Sequence, residues 1–151
     1  MLQFASRKKE SNQKTAGEVV TSQVSSQRKR TFKTAWFAKY ALKTGIIDAD
    51  LCAAVKEVMQ GQCSDLGGGV FKKRLKKNEY RSIILMKGGN YWIYAYLFAK
   101  SDRDNISAND LDDFRSLAKV YGKVSSKEID KLIQTRELTE ICHEDQAQVQ
   151  H

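Results

Sequence analysis

Three apolar-rich segments of strand length stand close together in the middle of the chain: Val70–Leu75 (VFKKRL), Tyr80–Met86 (YRSIILM) and Tyr91–Ala99 (YWIYAYLFA). The last is aromatic and β-branched, as a half-buried pleated surface prefers. Polar breaks separate them: Lys76-Lys77-Asn78-Glu79, then Lys87-Gly88-Gly89-Asn90, a glycine-bearing hairpin signal. The pattern predicts an antiparallel meander. Ahead of it, Arg30–Thr34 (RTFKT) reads as a short first strand, and Thr34 is placed to cap a helix beginning at Ala35. Trp36, Phe37, Tyr40 and Ala41 follow at helical spacing, and Gly45 ends that helix. Asp48 or Asp50 can cap a second helix whose stripe is Leu51, Val55, Val58 and Met59. Aromatic and methionine side chains at such spacing read as core.

Beyond the meander, Ser107 with Asp110 three residues on approaches a capping box, opening a helix striped by Leu111, Phe114, Leu117, Ala118 and Tyr121. A final helix is expected over about Ser126–Ile141, with Ile129, Leu132, Ile133, Leu138 and Ile141 on its apolar side. The predicted class is α+β: a small antiparallel sheet flanked by helices in the order β-α-α-β-β-β-α-α. Residues 1–29 are rich in Ser, Thr, Gln and Lys without periodicity and read as a disordered basic tail. The folded domain is expected over 30–142, with a frayed tail over 143–151.

Charge changes this picture. The net charge is +8 over 151 residues, but residues 66–100 hold eight Lys or Arg against one acid, Glu79, while residues 101–151 are acidic. In a strand Lys72 and Arg74 share one face, and Phe71 and Lys73 share the other. With Arg81 on the next strand and Lys100 at the end of the third, cations can converge on one face suited to a polyanion. The same residues would serve equally to solvate an outer face or protect a sheet edge. Three cysteines (Cys52, Cys63, Cys142) form no CxxC, and the histidines lie only at positions 143 and 151, so no metal-ligand spacing exists and neither metal nor cofactor is expected. No apolar run approaches membrane-spanning length. The expectation is a cytoplasmic, reducing setting with buried or inert thiols and no membrane partner.

This progression resembles the RelE/HigB branch of the RelE/ParE toxins of bacterial toxin–antitoxin modules. The residues that carry the resemblance are Gly67–Leu75 (GGGVFKKRL), Tyr80–Leu85 (YRSIIL), Tyr96–Lys100 (YLFAK), Asp104–Ile106 (DNI) and the helix through Leu117-Ala118-Lys119. It spans about residues 30–135. The resemblance implies a toxin that cleaves mRNA in the ribosomal A site, inhibits translation and has a cognate antitoxin. In that chemistry the RNA 2′-OH attacks the adjacent phosphate, with no metal required. By position in the family pattern, Lys72 and Arg74 fall on a basic pair of the second strand, Arg81 on the phosphate-contacting arginine, and Lys100 and Arg103 on the basic cluster after the last strand of the meander. Arg81 is then expected to clamp the scissile phosphate, since a guanidinium fork matches phosphate oxygens. Lys72 or Arg74 stabilises the phosphorane or assists deprotonation, and Lys100 or Arg103 helps the leaving oxygen. A lysine acts as a base near neutrality only if its surroundings lower its pKa.

Tyr80, beside Arg81, is a further catalytic candidate, because the histidine or helix tyrosine that some relatives use has no counterpart near Ser107. Lys73, Lys76, Lys77 and Lys87 are expected to contact ribosomal RNA backbone or simply to be solvated. Two other functions suit the same scaffold: a ParE-like inhibitor of DNA gyrase, and a non-catalytic nucleic-acid-binding protein in which Tyr91, Trp92, Tyr94 or Tyr96 stacks on bases.

Overall fold

The structure, a computed structural model, describes residues 29–143. Ten elements follow in order: β1 (Arg30–Thr34), α1 (Ala35–Thr44), α2 (Asp48–Met59), β2 (Ser64–Gly67), β3 (Val70–Leu75), β4 (Tyr80–Lys87), β5 (Tyr91–Ala99), α3 (Ala108–Lys123), α4 (Ser126–Gln134) and β6 (Leu138–Ile141). The fold is α+β, as expected. The strands form one sheet in the order β2-β3-β4-β5-β1-β6, antiparallel except where β1 runs parallel to β5. The expected disordered and frayed tails at 1–28 and 144–151 lie outside the described residues.

Each face of the sheet carries its own core, because strand side chains alternate. Under α1 and α2 lie Phe37, Leu51, Val55, Ile84, Tyr94 and Leu97. Under α3 and α4 lie Phe32, Val70, Ile83, Leu85, Ile93 and Ile129. Tyr94 is fully enclosed, and its hydroxyl donates to the Leu51 carbonyl at 2.7 Å. That bond offsets the cost of burying the hydroxyl, and burial pushes the phenol pKa well upward.

Local chemistry accounts for most boundaries. The Thr34 hydroxyl accepts the Phe37 N–H at 3.1 Å, and Gly45, at φ 76°, closes α1. Ser107 and Asp110 form the expected box at α3, and Ser125 with Glu128 repeats it at α4. At α2 the expectation of an aspartate cap is corrected. Ile47 occupies the cap position without a side-chain acceptor, and Asp50 three residues on accepts the Ile47 N–H at 3.3 Å.

The predicted helix through Ile141 is also corrected. α4 ends at Gln134, and Leu138–Ile141 instead form β6, antiparallel to β1. The stop is a Schellman geometry: Arg136 N–H donates to Ile133 O at 3.1 Å and Glu137 N–H to Leu132 O at 3.0 Å. Arg136 stands at φ 66°, where glycine is usual, so the sequence carries no stop signal. Arg30 then fastens β6 by pairing with Glu140 at 2.7 Å, which raises the guanidinium pKa further.

A second strand, β2, also goes beyond the expected order. It is short and mostly exposed, and joins β3 through Gly67, Gly68 and Gly69, at φ 84°, 67° and 82°. A Cβ on Gly68 would meet the Arg115 Cγ at 2.9 Å, so glycine is needed for both backbone and space. The expectation of inert thiols is corrected for two of the three cysteines: Cys52 of α2 and Cys142, just past β6, are joined by a disulfide, and Cys63 alone is free.

Candidate functional site

β3 pairs with β4 in a register that sets Arg74 directly opposite Arg81 and Lys72 opposite Ile83. Val70, two residues before Lys72, belongs to the core under α3, so alternation carries Lys72 and Arg74 to that same face. Arg81 joins them from β4, two residues before Ile83 of that core. Together they border a cleft of about 480 Å³, closed by Gln62, Cys63 and Ser64 at the start of β2 and by Asp104. Asn105 accepts a hydrogen bond from the Lys72 ammonium at 3.2 Å and orients it.

Electrostatically this cleft is lopsided. Arg81 is only 7 % exposed, yet among the described residues no carboxylate pairs with it, nor with Lys72 or Arg74. Its Nη1 donates to the Asn78 carbonyl at 2.9 Å and to the Tyr80 carbonyl at 3.3 Å. Those bonds hold a strained turn, in which Lys76, Lys77 and Asn78 all have positive φ. Like charges placed directly across a ladder destabilise it. A buried cation without a counter-ion is likewise costly. Both costs fall when an anion enters the cleft, which makes the arrangement suited to a phosphate-bearing ligand.

The remaining candidates are distributed more widely. Lys100 and Tyr80 line a second hollow of about 640 Å³ with Lys77, and the two hollows share Asp104. The Tyr80 ring packs against the core under α1 and α2, on the opposite face from Arg81. Arg103 pairs with Asp110 at 3.2 Å and lies over the Phe98 ring at 5.9 Å. Burial works against the Asp110 carboxylate, but Ser107 and Arg103 hold its pKa below the ordinary value. Lys73 also borders the cleft, but its ammonium is committed, 2.7 Å from Glu57 of α2 and donating to the Gln62 carbonyl at 2.9 Å. Lys76 donates to the Thr44 carbonyl at 2.6 Å, and Lys87 lies 5.4 Å over the Tyr91 ring. Lys72, Arg74 and Arg81 are thus brought together, Lys73 borders the same cleft but is paired with Glu57, Lys100 sits next door, and Lys76 and Lys87 are engaged elsewhere.

Sequence reasoning left out the β2 side of the cleft and the role of Asn105. Nothing in Gln62-Cys63-Ser64 marks a binding wall, since β2 has the single apolar residue Leu66. The Cys63 thiol borders the cleft, and burial pushes its pKa up although Lys73 pulls the other way.

Fold and cleft together define a small α+β protein with a cation-lined cleft on a mostly antiparallel sheet. The family described as the RelE toxin of the RelE/RelB toxin–antitoxin system matches residues 29–141, and the chain belongs to that family. It is therefore a toxin of a toxin–antitoxin module, with an antitoxin as its cognate partner. Compared with curated proteins and with solved structures, the chain matches none. Among the described residues no helix is long and apolar enough to cross a membrane.

Proposed function

We propose that the protein is a ribosome-dependent mRNA endonuclease. One observation carries this reading: Lys72, Arg74 and Arg81 share a single cleft whose one lining carboxylate among the described residues, Asp104, forms an ion pair with none of them. In-line attack of a 2′-OH on its phosphate forms the O2′–P bond and breaks the P–O5′ bond. The 2′ proton departs, and the 5′-oxygen gains one, leaving a 2′,3′-cyclic phosphate and a 5′-OH. Negative charge builds on the non-bridging oxygens, so fixed cations aimed at them lower the barrier. In this reading Arg74 and Arg81 hold those oxygens, and Lys72, oriented by Asn105, adds charge on the 2′ side. Lys100, in the adjoining hollow, faces the leaving 5′-oxygen.

The test is induced expression of the full chain with mapping of mRNA 5′ ends, beside Lys72→Ala and Arg74→Ala. Growth arrest with new in-frame cuts in translated messages, lost in both variants, is the expected result. Arrest without cuts would redirect the search to another target such as gyrase. Binding of RNA without cleavage products would reduce the protein to a nucleic-acid binder.

A further inference from the structure

A line of π contacts runs from beside Arg81 to the surface. The Arg103 guanidinium lies over Phe98 at 5.9 Å, and Phe98 is the register partner of Arg81. Phe98 is 5.9 Å from Tyr96 between ring centroids, and Tyr96 is 4.9 Å from Trp36 with planes inclined by 26°. Trp36 in turn stacks on Tyr40 at 5.2 Å and 20°, while Phe114 of α3 meets Tyr96 at 5.6 Å. Exposure rises along the line, from buried Phe98 through half-buried Tyr96 to Trp36 at 48 %. The core position expected for Trp36 is thereby corrected.

Topology creates the opening. β1 follows β5 only from Arg30↔Tyr91 to Lys33↔Tyr94, and the chain then enters α1 at Ala35. The sheet has no strand beside Tyr96 on that side, and Trp36 occupies the vacated position. A large aromatic left nearly half exposed gives up burial that would stabilise the fold. Here it lies between Tyr40 and Tyr96 in a near-parallel cluster of rings that reaches Phe98, the register partner of Arg81, and a nucleobase is the planar group that packs on the exposed part of such a cluster.

We infer that Trp36, with Tyr40 and Tyr96, forms a base-stacking subsite for single-stranded RNA whose phosphate occupies the Lys72–Arg74–Arg81 cleft. The subsite rests on the nuclease reading and deepens it. Stacking tolerates every base but favours purines, whose larger rings overlap more of the indole. Trp36 therefore contributes affinity and a mild nucleotide bias beside the phosphate, while the cleft supplies the charge.

Tryptophan emission tests this directly, because the chain has two tryptophans and Trp92 is buried. Full-length protein is titrated at low salt with a short single-stranded RNA whose 2′ positions are methylated, so that no cleavage occurs. A matched set carries one abasic nucleotide at each position in turn. Quenching by the intact RNA, lost when one particular position is abasic, is the expected result and needs only the wild-type protein. Trp36→Leu should weaken binding about tenfold and Trp36→Phe much less, with an unchanged dependence on salt. Arg74→Ala should instead reduce the salt dependence.

Equal quenching by all abasic RNAs, or wild-type affinity in a folded Trp36→Leu protein, would overturn the subsite and leave the nuclease reading standing. Failure of the wild type to bind RNA, or a salt dependence untouched by Arg74→Ala, would also overturn the subsite, while the nuclease reading stands or falls on the mapped cuts in translated messages. Intact RNA binding by Trp36→Leu together with loss of antitoxin binding would assign the ledge to the protein partner and overturn the proposal.

Discussion

Lys72 and Lys73 are neighbours in one strand and meet opposite fates. On the face under α1 and α2, Lys73 finds Glu57 at 2.7 Å, and the surrounding residues of that face, Phe71 and Leu75, pack into a core. On the other face Lys72, Arg74 and Arg81 gather without an ion pair among the described residues, two of them directly opposed across the ladder. A single residue step therefore separates a cation paired within the fold from cations left without an ion pair. Functional sites tend to carry such local conflict, since the ligand rather than the fold resolves it.

The sharpest way to probe this contrast is to remove cations from the ligand face. Arg74→Ala should lower cutting by about a hundredfold or more, as expected for a donor aimed at developing charge. Its melting temperature should stay the same or rise, because the repulsion across from Arg81 disappears. Arg81→Ala should lose cutting as completely but also melt earlier, since the Asn78 and Tyr80 carbonyls lose their donor. Paired cleavage maps and thermal melts of the two variants check both statements.

The opposite face should respond in stability alone. Reduction of Cys52–Cys142, or Cys142→Ser, frees a link across 90 residues of sequence and should cost about 2–4 kcal/mol. A denaturant titration with and without reductant measures it, and the pattern of RNA cuts from folded protein should not change. Glu57→Gln is a smaller change on that face. It removes a half-exposed partner of Lys73 and should cost at most about 1 kcal/mol, with cut positions unaltered.

Acid should have the mildest effect, at the starts of α3 and α4. At α4, the Ser125 backbone N–H and hydroxyl hold the Glu128 pKa below its ordinary value. At α3, slight burial raises the Asp110 pKa, but Ser107 and Arg103 outweigh it and the net shift is downward. For carboxylates lowered in the folded state, the stabilisation is present above the unfolded pKa and is lost as pH falls through the folded one. Fraying of both first turns should therefore set in below about pH 4 and be absent at neutrality. Amide exchange of residues 108–111 and 126–129 across that range would reveal it, and Glu128→Gln should remove the pH dependence at α4, whereas Ser125→Ala, which keeps the backbone N–H, should only reduce it.

Much of this was readable in the chain, for local reasons. Val70–Leu75, Tyr80–Met86 and Tyr91–Ala99 carried strand periods, and Thr34, Gly45 and Ser107 carried their caps, because each signal acts within a few residues of itself. The shared face of Lys72 and Arg74 followed from the alternation of any strand. What resisted reading depended on distant partners. β2 has almost no apolar pattern and exists because β3 offers an edge. Leu138 and Ile141 sit three apart, as helix neighbours do, and became strand residues because β1 was available and Arg136 took a conformation usually left to glycine.

The sequence by itself determined the class of fold, the helix starts and the concentration of cations on the central strands, all consequences of periodicity and capping. Tertiary structure alone decided which cations lack a counter-ion, that Cys52 meets Cys142, and that Trp36 emerges beside Tyr96. Each of these outcomes depends on distances between residues far apart in the chain, and those distances are set only when both cores close on the sheet.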